Sequence, residues 1–153
     1  MKNEIYFMKI FVSCLAICLF ISCNSESTKF ELCGGGLYPY YHPQLNYEGS
    51  FYAIKEHFYT NYKAVDSGSN NGIVKIRFHV NCNGETGNFK TETYGFDYNS
   101  NEMDSQITQQ LLALTQELEN WIPAKDENGE ALNSHKFFAF KIRDGQLTDI
   151  LPK

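Results

Sequence analysis

The sequence predicts a small α+β domain, two helices packed on one face of an antiparallel sheet, in the order helix–strand–strand–helix–strand. Three observations predict it. Ile73 to Val80 (IVKIRFHV) alternates, with Val74, Ile76, Phe78 and Val80 on one face and Lys75, Arg77 and His79 on the other, the pattern of a half-buried strand. Met103, Ile107, Leu111, Leu114, Leu118 and Trp121 recur every three or four residues, one stripe of a helix. His135 to Ile142 (HKFFAFKI) alternates again, with Phe138, Phe140 and Ile142 together. Strands and helices mixed in this way pack as two layers.

Taken in order, the first helix is expected over residues 51–62, where Phe51, Ile54, Phe58 and Tyr62 share a stripe and Ser50 stands at the N-cap position. Residues 66–72 (DSGSNNG) form a loop. After the strand at 73–80, Asn83-Gly84 within NCNGETG turns the chain, and residues 88–94 return as the hairpin partner. Asp104 or Ser100 can cap the second helix, and Pro123 helps to end it. A turn at Asp126-Glu127-Asn128-Gly129 leads to the closing strand, and Asp144-Gly145 opens into QLTDIL, a candidate final short strand.

The chain has 153 residues, 13 basic and 18 acidic, for a net charge of −5. That length allows one domain. The acidic balance excludes nucleic acid as the main partner, because phosphate binding needs a basic stripe. Residues 10–23 (IFVSCLAICLFISC), behind Lys2 and Lys9, form an apolar run too short to span a bilayer and suited to a signal-peptide core. Phe20-Ile21-Ser22-Cys23 resembles the lipobox of bacterial lipoproteins, which implies cleavage after residue 22 and acylation of Cys23. Removing 22 residues, two of them basic and one acidic, leaves 131 with a net charge of −6. Cys14 and Cys18 leave with the signal. Cys33 and Cys82 remain and in an oxidising envelope are expected to bridge, the alternative being two separate thiols. The organisation read from this is a signal peptide over 1–22, a lipid-anchored tether with an irregular aromatic segment over 23–44, and the α+β domain over 45–153.

Gly72-Ile73-Val74, then Phe78-x-Val80-Asn81 and Gly84 in the hairpin, followed by Trp121-x-Pro123, Gly129 and the aromatic strand KFFAF, resemble the ordered pattern of TonB C-terminal-like domains. The likeness covers roughly residues 45–145. Together with the lipobox, the chain is similar to small Bacteroidetes-type lipoproteins that carry such a domain. A TonB energy transducer also has an inner-membrane helix and a long Pro-rich stalk, neither of which is present here. The resemblance therefore implies the family's binding mode, in which a sheet edge takes up an extended peptide by strand addition, and the strong closing strand suits it. Outer-membrane anchoring facing the periplasm is expected, since Asn24-Ser25-Glu26-Ser27 carries no acidic run.

Candidate chemistry is sparse. His79-x-x-Cys82 puts its members on opposite faces of a strand, a poor metal pair, and His42, His57 and His135 are scattered. The acidic residues fall in turns or on the outer helix face, and Ser100 and Ser105 have no evident base. No catalytic residue, metal or cofactor is assigned. Tyr38, Tyr40, Tyr41, Tyr47, Tyr52, Tyr59 and Tyr62 crowd the first third of the mature chain. They read as sheet-covering aromatics or as a contact surface, and Tyr38, Tyr40 and Tyr41, with Phe138 and Phe140 of the closing strand, are the candidate interaction surface. The expected function is a non-catalytic, lipid-anchored envelope protein that contacts a protein partner. The alternatives are an envelope hydrolase or glycan-processing enzyme, and a structural or stress-related lipoprotein without a dedicated ligand.

Overall fold

The computed structural model describes residues 29–38, 43–66 and 70–152. In chain order these hold β1 (Leu37–Tyr38), β2 (Asn46–Tyr47), α1 (Ser50–Asn61), β3 (Gly72–Val80), β4 (Thr86–Tyr94), α2 (Ser105–Gln116), β5 (Trp121–Ile122), β6 (Asn133–Arg143) and β7 (Gln146–Leu151). The fold is α+β. Residues 1–22, expected as a signal peptide, and Cys23, Tyr40 and Tyr41 lie outside the described residues.

The alternating strands form the main sheet as their patterns require. β3 pairs antiparallel with β4 on one side and with β6 on the other, in register Val74↔Phe140, Ile76↔Phe138 and Val80↔Ser134. β6 carries β1, parallel, and β7, antiparallel, on its far edge. Its order places the closing strand in the middle of the sheet, so it offers no free edge of the kind strand addition needs. Its length allows this: β6 spans 11 residues, paired with β3 along one edge and with β1 and β7 at the two ends of the other. β2 and β5 form a separate two-stranded ribbon.

Phe138 and Phe140 are wholly buried and so are no contact surface. Val74, Ile76, Phe78 and Val80 line the same face, and Ile54 and Phe58 of α1 and Ile107, Leu111 and Leu114 of α2 close over it in one core. The Phe58 ring lies 5.8 Å from Phe138 and 4.7 Å from Phe140. Aromatic pairs at such separations add to the area they bury. Lys136, also on this side, carries its Nζ 5.7 Å from the Phe138 ring and 5.8 Å from Trp121, a cation–π contact.

The helix ends differ from expectation in instructive ways. Asp104 caps α2, its side chain accepting from Gln106 N at 2.8 Å, so Met103 stands before the helix. The helix stops at Gln116 although the apolar stripe runs on to Trp121. Leu118 and Trp121 stay buried because the chain leaves the helix along the same face and enters β5, where Trp121 pairs with Tyr47. Gly49, at φ 76°, takes the N-cap position of α1 in place of Ser50.

Several tyrosines have structural duties. Tyr47 packs edge-on to Trp121 at 5.1 Å, and Tyr59 Oη donates to Thr148 O at 3.4 Å. Tyr62 Oη donates to Gly145 O at 2.9 Å. Burial first, and then the Asp104 carboxylate, push the Tyr62 phenol up to about 12. A phenol whose pKa rises on folding stabilises the protein fully below its unfolded value, about 10, and that stability is lost as pH climbs through 12. Urea unfolding of the wild type is therefore expected to weaken between pH 10 and 12. Tyr62→Phe is expected to lose about 1 kcal/mol at pH 8 and to show a shallower alkaline decline.

Candidate interaction site

The segment read as a tether is bound to the sheet over its described part. Cys33 is disulfide-bonded to Cys82 just beyond β3. Cys33 N donates to Asn133 Oδ1 at 3.1 Å, and Asn133 Nδ2 returns a bond to Cys33 O at 3.0 Å. The buried Asn81 donates from Nδ2 to Glu31 O at 3.0 Å. A Cβ added at Gly87 would run into the Phe30 ring, so glycine is what lets that ring lie on β4. Residues 30–38 thus form a strap from β4, past the end of β3, to the far edge of β6, where Leu37 and Tyr38 pair with Asn133 and Ser134.

The opposite edge of the sheet is β4. Among the described residues no strand pairs with its outer side. Thr93 O accepts from Asn101 N at 3.3 Å, and Tyr94 bridges Ser100, so the loop after β4 covers that end. Backbone groups in an antiparallel ladder point alternately toward and away from the partner. Since Thr93 points outward, Thr91 N–H and C=O point outward too, and this is where the edge is open. Lys90 and Glu92 flank it, and charged residues blunt edges against unwanted pairing.

Beside that edge, between β4 and the start of α2, lies an open groove of about 490 Å³. Thr91 and Thr93 line it from the strand, and Thr108, Gln109 and Leu112 from the helix, with Glu102, Met103 and Ser105 at the entry to α2. Met103 and Leu112 also pack against the core. The groove therefore offers a short apolar strip among hydroxyl and amide groups, a surface suited to a side chain of an extended peptide.

The other sheet face carries a histidine pair that the scattered positions did not suggest. His79 and His135 stand directly opposite on β3 and β6, their rings 4.6 Å apart and edge to face. Asn88 Nδ2 lies 3.1 Å from His79 Nδ1. Burial and the neighbouring imidazole hold His79 below the usual imidazole range, and burial with the nearby Arg77 charge does the same for His135. Both shifts favour the neutral ring. His57 Nε2 lies 2.9 Å from Leu114 O and 3.6 Å from Glu117 Oε2, and its Nδ1 lies 3.5 Å from Asn61 Nδ2. Among the described residues no three His, Cys, Asp or Glu side chains gather as metal ligands, and no helix is long and apolar enough to cross a membrane.

Of the sequence-predicted surface, Phe138 and Phe140 are in the core, and Tyr38 is placed by its backbone in β1. The groove and the Thr91 edge were missed. The available signal was TGNFKTETY itself: a strand polar on both faces is an edge strand. No protein-family model, curated protein or solved structure matches the chain.

Proposed function

We propose that this chain is a lipid-anchored protein of the bacterial envelope, held by an acylated Cys23 on the outer membrane and facing the periplasm. Its α+β domain, TonB C-terminal-like in sequence pattern, is non-catalytic and holds an extended segment of a protein partner by strand addition along β4. The observation that carries this reading is the outward-pointing backbone of Thr91 beside the groove of Met103, Leu112 and the threonines. Main-chain hydrogen bonds supply affinity in such a mode, and the groove takes an alternate side chain and supplies specificity.

Thr91→Pro is the decisive variant. Proline is tolerated on an edge strand whose N–H faces solvent, so the fold is expected to survive with an unchanged circular dichroism spectrum. The donor needed by an incoming strand is gone. A photo-crosslinking residue in place of Gln109 is expected to trap one protein in intact cells, and Thr91→Pro in the same chain is expected to abolish the adduct. An adduct that persists with proline at 91 sinks the strand-addition reading, and the absence of any adduct in the parent removes its basis.

A further inference from the structure

Charge is divided unevenly over this protein, and the division coincides with the place where the chain enters from its N-terminus. Residues directly opposite across a ladder share a face. The outer face of the main sheet, away from both helices, therefore carries Lys75 and Arg77 of β3, Lys90 of β4, and Lys141 and Arg143 of β6. Its acids are Glu92, opposite Lys75, and Asp149, opposite Lys141. Five of the 13 basic residues and two of the 18 acidic ones lie there. The face is thus +3 on a chain of −5, and the remainder of the chain carries eight basic against sixteen acidic residues.

The neutralisation within the face is incomplete by construction. One carboxylate, Glu92 Oε1, serves both Arg77 at 3.0 Å and Lys90 at 3.3 Å. Lys141 stands 4.0 Å from Asp149. Lys75 and Arg143 lie over aromatic rings, Phe137 at 5.2 Å and Phe96 at 4.7 Å, so their charges are held in place without being cancelled.

The strap enters over this same face. Gly87 pairs with His79, whose ring lies on the outer side with His135, and Phe30 packs on Gly87. Six peptide steps separate Cys23 from Lys29, a reach of at most about 20 Å when fully extended. An acyl anchor at Cys23 would therefore bring the basic face, and not the acidic helix side, toward the bilayer.

We propose that the outer face of the main sheet docks on an anionic phospholipid surface, so that the anchor and the face hold the domain in one orientation with the β4 groove on the side away from the lipid. The inference rests on the anchor of the proposed function for its geometry, and on the charge of the face for its chemistry. Each basic residue near an anionic surface contributes roughly fivefold in affinity, so a net of three gives about a hundredfold preference for anionic over neutral lipid. Salt is expected to erase that preference.

The test uses the protein purified from its own membrane fraction, mixed with vesicles of phosphatidylcholine alone or of phosphatidylcholine with phosphatidylglycerol. Flotation is followed by amine acetylation, with each lysine read by mass spectrometry. Flotation with both vesicle types, with Lys75, Lys90 and Lys141 protected severalfold only on the anionic ones and Lys63 and Lys125 unchanged, supports the docking and the anchor together. Flotation with anionic vesicles alone, with the same protection, keeps the docking and removes the anchor. Flotation with both and equal labelling overturns the docking while leaving the anchor. No flotation with either overturns both. Protection seen only in intact envelopes, and never on anionic vesicles, overturns the lipid assignment in favour of an acidic protein surface. The double variant Lys75→Glu with Lys90→Glu is expected to lose the anionic preference while keeping the wild-type circular dichroism spectrum, its urea midpoint falling because both new carboxylates face Glu92.

Discussion

Phe138→Ala is expected to destabilise the protein by about 3–5 kcal/mol, the cost of removing a large aromatic from a closed core. Phe138 is fully buried on the central strand β6. Its ring has Phe58 at 5.8 Å, Phe78 at 5.7 Å, Phe140 at 5.9 Å and Trp121 at 6.2 Å. Those neighbours come from α1, β3, β5 and β6, and a cavity bounded by so many separate elements cannot collapse cheaply. Small domains have a total stability of about 5–15 kcal/mol, so the variant should be substantially unfolded at modest urea concentrations. Were Phe138 part of a contact surface, the same substitution would move stability by less than about 0.5 kcal/mol and weaken partner capture instead. Equilibrium urea unfolding separates the two outcomes, and a midpoint equal to wild type would refute the core assignment.

Replacing both Cys33 and Cys82 with Ser is expected to cost about 4 kcal/mol, the loop-closure value for a cross-link across 49 residues. The loss has a local component as well. Without the bridge, the strap is held by Asn133 on Cys33, by Asn81 on Glu31, by the two β1 residues and by the Phe30 ring against Gly87. Amide exchange should accordingly accelerate first over residues 31–38, while the amides of β3 and β6 follow the global stability. Reducing agent applied to the wild type should reproduce the double variant. Exchange that rises uniformly, with no early opening of the strap, would show that the disulfide acts only on the unfolded chain.

Much of the fold was legible in the sequence, and the reason is local. Period-two alternation in IVKIRFHV and HKFFAFKI, and the three-to-four spacing of Ile107, Leu111 and Leu114, are properties of neighbouring residues, and neighbours are what a sequence displays. The Asp104 cap and the Asn83-Gly84 turn are local in the same sense. The stripe through Leu118 and Trp121 misled about helix length because burial on one face does not require helical backbone. A chain that straightens after Gln116 can keep its apolar side chains over the same core.

The candidate site was legible only in part. Cys33 and Cys82 could be paired by counting once the expected signal segment and Cys23 were set aside, and the bridge is present. Aromatic content alone could not separate core from surface, so Phe138 and Phe140 were placed on the candidate interaction surface when they lie in the core. What makes Phe138 and Phe140 buried is β3 on one side, β7 on the other and α1 above, and of these only β7 is adjacent in sequence.

By itself the sequence determined the two helices and the four longer strands, the α+β class, the two cysteines that bridge and the acidic overall charge, while the two-residue strands β1, β2 and β5 came only with the fold. The tertiary structure alone decided which strand is central and which is an edge, that residues 30–38 strap the sheet across about 100 residues of chain to Asn133, and that the basic residues of three strands gather on one face. Periodicity is written in consecutive residues. Strand order, long-range straps and charge segregation arise from which distant segments find each other, and that choice is made by the packing of the whole core.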